Sequence, residues 1–158
     1  MGYALEYNAF IRGVDLDLST NALVGKNTAE ILETVRGKSE TWMNTYLNID
    51  GIFNYYRIDS YDTPIEEGWY KVVLRVGFYD GNGNGIFDDN EFYDYHWWYE
   101  TSTGEWAEKA GETPSKIHTG SQGIDPAASP WTVPDLSGFL YNSEPIYYRV
   151  RDVRNYNW

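Results

Sequence analysis

Residues 80–91 read Asp-Gly-Asn-Gly-Asn-Gly-Ile-Phe-Asp-Asp-Asn-Glu, and this loop constrains the fold more than any other segment of the chain. Side-chain oxygens occur at loop positions 1, 3, 5, 9 and 12, and a glycine occupies position 6. This is the ligand pattern of an EF-hand-type calcium loop, in which position 7 contributes its backbone carbonyl. We therefore predict a Ca²⁺ site with the ligands Asp80, Asn82, Asn84, Ile86, Asp88 and Glu91.

An Asn-Gly hairpin turn without a metal is the alternative, because Asn-Gly pairs between apolar segments are strong turn signals. A plain turn requires neither Asp88 nor Glu91 at this spacing, so the pattern favours the metal. Two amides among the ligands weaken the attraction for the ion, and we expect a dissociation constant of about 10⁻⁴ to 10⁻³ M.

The segments on either side of the loop have strand patterns and not helix patterns. Residues 69–79 alternate, with one apolar and aromatic face made of Tyr70, Val72, Leu74, Val76 and Phe78. Residues 92–99 are rich in aromatic side chains, which favour strands. The ion is therefore expected in a β-hairpin, where it would hold two strands together and would not open a pair of helices.

Residues 76–91 resemble the calcium loops of the B repeats in bacterial Sdr-type surface adhesins. The resemblance covers about sixteen residues, and the chain after Glu91 departs from the adhesin pattern. It therefore implies the ion site and not the adhesin domain.

The chain carries a net charge of −12 and contains no cysteine. The acidic balance disfavours nucleic acid and anionic membranes as partners, and the lack of cysteine excludes disulfides and thiolate chemistry. No apolar stretch is long enough for membrane insertion, and the first residues lack the basic and apolar segments of a signal peptide. The acidity, the lack of cysteine and the weak calcium loop favour an extracellular or cell-surface location in a bacterium, since cytosolic calcium would leave such a loop empty.

An α+β fold is predicted, with amino-terminal helices packed on a mainly antiparallel β-sheet. Asn27 caps a helix over residues 28–36, Gly37 ends it, and Ser39 begins a second helix. Residues 110–144, rich in proline, glycine and serine, are expected to form a long irregular excursion from a single domain spanning 1–158. Strands are expected over residues 7–12, 14–18, 52–59, 69–79, 92–100, 104–109 and 145–153.

A second chemical candidate lies on the strand that follows the loop. Asp94, His96 and Trp98 fall on one face of that strand. Glu108 lies on the next predicted strand, where a carboxylate can orient a histidine as a third group orients a catalytic base. The other interpretation is a structural histidine that is hydrogen-bonded to its neighbours on an aromatic-rich sheet.

Residues 69–74, 93–99 and 104–114 resemble bacterial papain-like proteins related to NlpC-type hydrolases. The matched residues are Asp94, Tyr95, His96, Trp97, Gly104, Trp106, Lys109, Gly111, Thr113 and Pro114. The resemblance implies that His96 acts as a base and that a polar group on the following strand orients it. This chain has Glu108 where the related proteins have histidine, and it lacks their cysteine nucleophile. Either the scaffold has lost catalysis, or another nucleophile, such as the hydroxyl of Thr28 or Ser19, takes the place of the cysteine.

The favoured hypothesis is a non-catalytic, calcium-binding module that contacts a glycan or a protein, or that has a structural role at a cell surface. Aromatic rings stack on flat, amphipathic ligands, and the contact candidates are Trp97, Trp98, Trp106 and Trp131, with burial in a core as the alternative for each. The second hypothesis is a calcium-stabilised peptide or amide hydrolase with His96 as the general base, Glu108 or Asp94 as the orienting group and Thr28 as the nucleophile. A third is self-association through exposed strands.

Overall fold

The computed structural model describes residues 16, 18–49, 51–108, 116–118, 131–132 and 140–151. Within them lies the helix α1 (Thr28–Tyr46), preceded by a short 3₁₀ helix at Thr20–Ala22. The strands are β1 (Asn48–Ile49), β2 (Ile52–Phe53), β3 (Tyr55–Ile58), β4 (Trp69–Phe78), β5 (Tyr93–Glu100), β6 (Trp106–Glu108), β7 (Lys116–His118), β8 (Trp131–Thr132), β9 (Leu140–Tyr141) and β10 (Ile146–Arg151).

Six of these strands form one antiparallel sheet in the order β3-β10-β4-β5-β6-β7. The two longest strands, β4 and β5, pair at its centre from Val72 opposite Tyr99 to Phe78 opposite Tyr93. The short pairs β1–β2 and β8–β9 form two small additional sheets. A helix packed on an antiparallel sheet confirms the predicted α+β class.

The helix begins at a complete capping box. The Asn27 side chain accepts a hydrogen bond from the backbone N–H of Glu30 (3.1 Å), and the Glu30 carboxylate accepts one from the backbone N–H of Asn27 (2.9 Å). These reciprocal bonds satisfy two N–H groups at the helix start, where donors have no partner within the helix. The predicted cap at Asn27 is confirmed.

The helix continues through Gly37 to Tyr46, so the prediction of two separate helices is wrong. Its buried residues keep helical spacing on both sides of the glycine: Ile31, Leu32, Val35, Ser39, Trp42 and Met43. Burial of this face outweighs the intrinsic cost of one glycine, which is about 1 kcal/mol relative to alanine. No helix among the described residues has the length and apolar character needed to cross a membrane.

The helix packs on one face of the sheet and forms the larger core there. Tyr148 of β10 is fully buried in this core, and its hydroxyl donates a hydrogen bond to the carboxylate of Glu40 on the helix (2.8 Å). This core joins the buried face of α1 to alternate residues of the central strands, among them Val72, Leu74, Val76, Phe78 and Trp97.

The opposite face of the sheet carries a second core. Because successive residues of a strand point to opposite faces, Trp97 enters the helix-side core while Trp98 enters the second one. Both faces of β4 and β5 are therefore buried over much of their length. The apolar members of the second core are Ile58, Val73, Trp98, Trp106, Tyr141 and Tyr147.

The long strands lie close to their predicted positions, whereas the short ones differ. The segment predicted as one strand over 52–59 is divided into β2 and β3 at Asn54, a buried residue whose side-chain amide donates to the carbonyl of Leu47 (3.0 Å). Residues 110–144, predicted to be irregular, contain β7, β8 and β9. Strands of two or three residues are too short to show a period of two in the sequence.

The strands predicted over 7–12 and over most of 14–18 lie outside the described residues. In the second segment Leu16 is buried in the helix-side core, but it does not belong to a strand. The expectation of a single domain spanning 1–158 stays a prediction.

Replacing Gly37 by alanine should stabilise the protein by about 0.5–1 kcal/mol, because alanine loses less backbone entropy in a helix interior. The backbone there is helical, and apart from the adjoining backbone of the helix itself no atom lies within 4 Å of the added Cβ. Thermal melting of Gly37→Ala should show a higher midpoint. The matched control is Gly25→Ala, which should lower it, since Gly25 has a φ of +83° that alanine rarely adopts. A lower midpoint for Gly37→Ala would contradict the continuous helix.

Candidate calcium loop and buried histidine cluster

Residues 80–91 connect the two central strands of the sheet. The backbone N–H of Tyr79 donates to the carbonyl of Phe92 (2.8 Å), so the two strands remain paired up to the ends of the loop. The loop is thus the connection of a β-hairpin, flanked by strands and not by helices.

The first predicted ligand, Asp80, is the centre around which the loop turns. Its Oδ1 accepts hydrogen bonds from the backbone N–H groups of Gly83 (2.7 Å) and Asn84 (3.1 Å), and its Oδ2 accepts one from Gly85 (2.8 Å). Gly83 and Gly85 have φ values of +73° and +75°, which residues with a side chain rarely adopt. The glycines therefore allow three consecutive N–H groups to converge on one carboxylate.

The last predicted ligand, Glu91, closes the loop. Its Oε1 accepts a hydrogen bond from the N–H of Gly81 (2.8 Å), and its Oε2 accepts one from the N–H of Asp88 (3.1 Å). The carboxylate at position 12 is therefore tied to the beginning and to the later part of the same loop.

The remaining predicted side-chain ligands face one another. The amide groups of Asn82 and Asn84 donate to Oδ2 of Asp88 at 2.7 and 3.2 Å, and their Oδ1 atoms accept backbone N–H groups within the loop. Within the described part of the chain, no group of three or more histidine, aspartate or glutamate side chains is placed to hold a metal by itself. A cation in this loop would therefore depend on amide and carbonyl oxygens as well as on carboxylates, and a hard, oxygen-preferring ion such as Ca²⁺ fits that donor set.

The loop is also attached to the segment that precedes the helix. Phe87, at loop position 8, is fully buried and exchanges two backbone hydrogen bonds with that segment: Gly25 N–H to the Phe87 carbonyl and Phe87 N–H to the Lys26 carbonyl, both 2.9 Å. Its ring packs edge-on against Phe78 (5.7 Å) and Tyr93 (5.6 Å) at the ends of β4 and β5. Sequence reasoning missed this attachment, although an aromatic residue inside an otherwise polar loop was a signal for it.

His96 lies on the face of the sheet opposite to the helix. Its Nε2 is 2.8 Å from Oε2 of Glu108, and both side chains are nearly buried. The sheet thus brings together the histidine and the carboxylate that were paired from the sequence.

Asp94 makes different contacts from those expected. Its carboxylate accepts a hydrogen bond from the Tyr141 hydroxyl and one from the backbone N–H of Tyr95. The Tyr141 ring packs against His96 (5.5 Å between centroids), and Arg75, opposite His96 on β4, donates to the Tyr141 carbonyl (3.3 Å). Sequence reasoning missed Tyr141 and Arg75. Tyr141 lies in the segment predicted to be irregular, and no local pattern indicates that it packs on the sheet.

Burial raises the pKa of the Tyr141 phenol, and the neighbouring carboxylates of Asp94 and Glu108 raise the pKa further. The phenol therefore stays protonated at neutral pH and acts as a hydrogen-bond donor. The half-buried carboxylate of Asp94, which receives this donor, is stabilised, because a charge that is removed from water without a partner is costly.

Neither proposed hydroxyl nucleophile lies beside His96. Thr28 is the first residue of α1, which packs on the other face of the sheet. Ser19 is exposed, and its neighbour Leu18 packs against the helix-side core. The sheet therefore separates both hydroxyls from the histidine.

Three of the four tryptophans proposed as ligand contacts are buried: Trp97 (3% exposed), Trp98 (0%) and Trp106 (5%). They fill the two cores and are not available to a ligand at the surface. The backbone of Trp131 belongs to β8, and its side chain lies outside the described residues.

No family model matches this chain, and neither a curated protein nor a solved structure matches it. The resemblances to the adhesin loop and to papain-like proteins therefore stay predictions. Any functional proposal rests on the residues described above.

The two buried phenols should make the protein sensitive to alkaline pH. Burial raises the pKa values of Tyr141 and Tyr148 above the unfolded value of about 10. The stability that the two protonated phenols contribute is fully present below about pH 10. It is lost as the pH rises above that value, because unfolding then releases their protons. The free energy of unfolding should fall by about 1.4 kcal/mol per pH unit for each tyrosine.

Urea unfolding at increasing pH measures this slope. Tyr141→Phe should make the slope of the unfolding free energy against pH shallower by about the contribution of one tyrosine. Tyr56→Phe, at an exposed position, should leave the slope unchanged. Equal slopes for the wild type and Tyr141→Phe would show that the Tyr141 phenol is not held protonated in the folded state.

Proposed function

We propose that this chain is a calcium-stabilised, non-catalytic extracellular module of a bacterial protein, in which the ion joins the central β-hairpin to the start of the helix. The observation that carries this proposal is the closed loop of residues 80–91. Its first and last carboxylates, those of Asp80 and Glu91, accept hydrogen bonds from the loop's own backbone. Phe87 connects the loop to the segment before α1.

The physical basis is the concentration of negative charge in a short loop. The twelve residues hold four carboxylates, three of them in the predicted ligand set, and like charges at such short spacing repel one another. Backbone and amide donors bond to the three predicted ligands. A divalent cation bound at this position offsets that repulsion. Since the loop is bonded to Gly25 and Lys26, ordering it also orders the residues that precede the helix cap.

Addition of calcium should raise the thermal midpoint. Binding to the native state alone contributes about 2.7 kcal/mol when the free ion is at a hundredfold excess over its dissociation constant. Thermal melting of the protein in excess Ca²⁺ and in chelator measures the shift. Amide exchange at Gly25 should slow on calcium addition, because Gly25 donates to the carbonyl of Phe87 within the loop.

Two loop variants make this test specific. Glu91→Gln removes the carboxylate at position 12 and should abolish most of the calcium-dependent shift. Asp89→Asn removes an equally charged, exposed residue outside the ligand pattern and should retain it. An equal shift in both variants, or no shift in the wild type, would contradict the proposed site.

The aromatic surface that could contact a ligand differs from the one suggested by the sequence. Tyr56 is 43% exposed and packs beside Trp69 (5.6 Å between centroids) on the face opposite the helix. The guanidinium of Arg149 lies about 5 Å from both rings, and its Nη1 contacts the exposed carboxylate of Glu66 at 3.3 Å. Rings beside a charged, planar donor are suited to stacking on a sugar and to hydrogen-bonding its hydroxyl or carboxylate groups.

A glycan array probed with the calcium-loaded protein should therefore yield binding that depends on this surface. Tyr56→Ala should lose the signal. Tyr46→Ala, which removes a similarly exposed tyrosine at the end of α1, should keep it. If the array gives no signal, or if the signal survives in Tyr56→Ala, glycan binding at this surface is contradicted. A protein contact or a structural role then remains.

The hydrolase alternative has less support. It requires a nucleophile beside His96, and Thr28 and Ser19 lie toward the other face of the sheet. Among the described residues, the ring of Tyr141 packs against His96, but its phenol is held neutral and donates to Asp94. The His96–Glu108 pair is better interpreted as part of the second core.

A further inference from the structure

The chain contains two Asn-Gly steps, and both lie in the loop: Asn82–Gly83 and Asn84–Gly85. All four residues are exposed to solvent. An asparagine followed by glycine is the step most prone to deamidation, because glycine has no side chain to hinder the approach of its nitrogen.

The reaction is intramolecular and needs only water. The backbone nitrogen of the glycine attacks Cγ of the preceding asparagine, so that an N–Cγ bond forms and the Cγ–Nδ2 bond breaks. The proton of the backbone N–H leaves with the amide as ammonia, and a succinimide remains. Water then opens this ring at one of its two carbonyls, which yields aspartate or isoaspartate without any change in oxidation state.

One carboxylate holds both attacking nitrogens. The N–H of Gly83 donates to Oδ1 of Asp80 (2.7 Å), and the N–H of Gly85 donates to Oδ2 of the same residue (2.8 Å). A hydrogen bond to an anion lowers the acidity and the freedom of the donor. Neither nitrogen can attack until Asp80 releases it.

We propose that Asn82 and Asn84 form a deamidation site that is controlled by Asp80. Opening of the loop frees both nitrogens together and exposes both asparagines to cyclisation. Aspartate formed at these two positions adds a carboxylate to the predicted ligand set, whereas isoaspartate adds an atom to the main chain and disrupts the turn. Molecules that lose the closed loop are thereby altered permanently at two predicted calcium ligands.

Control by Asp80 follows from the loop geometry alone. A second effect, protection by calcium, rests on the proposed function. An ion bound by Asp80, Asn82 and Asn84 would hold the carboxylate and the two amides in fixed positions, and deamidation should slow when calcium is present.

The test is incubation of the full chain in mildly alkaline buffer with chelator, followed by peptide mapping of the mass gain at Asn82 and Asn84. Asp80→Ala should deamidate about tenfold faster at both positions, the factor that corresponds to losing about 1.4 kcal/mol of loop closure. Asp89→Ala removes an exposed acid of the same loop and should match the wild type. Asn82→Gln combined with Asn84→Gln should remove the signal, since glutamine cyclises far more slowly.

Rates for Asp80→Ala that equal those of Asp89→Ala would overturn the proposal. Circular dichroism verifies that both variants are folded. If Asp80→Ala is unfolded, amide exchange in the wild type replaces it: Gly83 and Gly85 should be protected in chelator, and unprotected amides would overturn the proposal. If deamidation is faster in Asp80→Ala but calcium does not slow it in the wild type, that result supports control by Asp80 and contradicts only the calcium site.

Discussion

The antiparallel pairing of β4 with β5 is the interaction on which the rest of the structure depends. It places alternate side chains on the two faces of the sheet. On one face these side chains pack against the apolar side of α1, and on the other they form the second core. It also brings the two ends of residues 80–91 together, so that a loop with many carboxylates begins and ends at fixed points. The core and the candidate site therefore share one hairpin.

The loop combines two demands on the same oxygen atoms. In the closed form, Asp80 and Glu91 accept hydrogen bonds from backbone N–H groups of the turn that have no partner in a helix or a strand. A cation bound there would share these oxygens with the backbone, and such preorganisation lowers the entropy lost on binding. The bonds between Phe87 and the segment before α1 extend this local order to the helix start.

The polar cluster on the other face has a different physical role. His96, Glu108 and Arg75 are buried on this face beside aromatic rings, where ionisable groups are costly to bury, and Asp94 is half-buried next to them. Their mutual contacts, together with the Tyr141 hydroxyl, reduce that cost. Such a cluster adds little to stability compared with apolar packing, but it allows fewer alternative arrangements of the strands. We interpret it as a device that selects one register for β5, β6 and the segment around Tyr141.

Local patterns in the sequence were sufficient for the helix cap at Asn27, the two central strands, the position of the loop between them and the pairing of His96 with Glu108. Each depends on residues that are close in the chain or on adjacent strands, where spacing determines which side chains meet. Only the tertiary structure decided that the helix continues through Gly37, that the tryptophans at 97, 98 and 106 are buried, that Phe87 binds Gly25 and Lys26, and that Thr28 and His96 lie on opposite sides of the sheet. These outcomes depend on which surfaces are covered by distant parts of the chain, and burial of that kind leaves no periodic signal in the sequence.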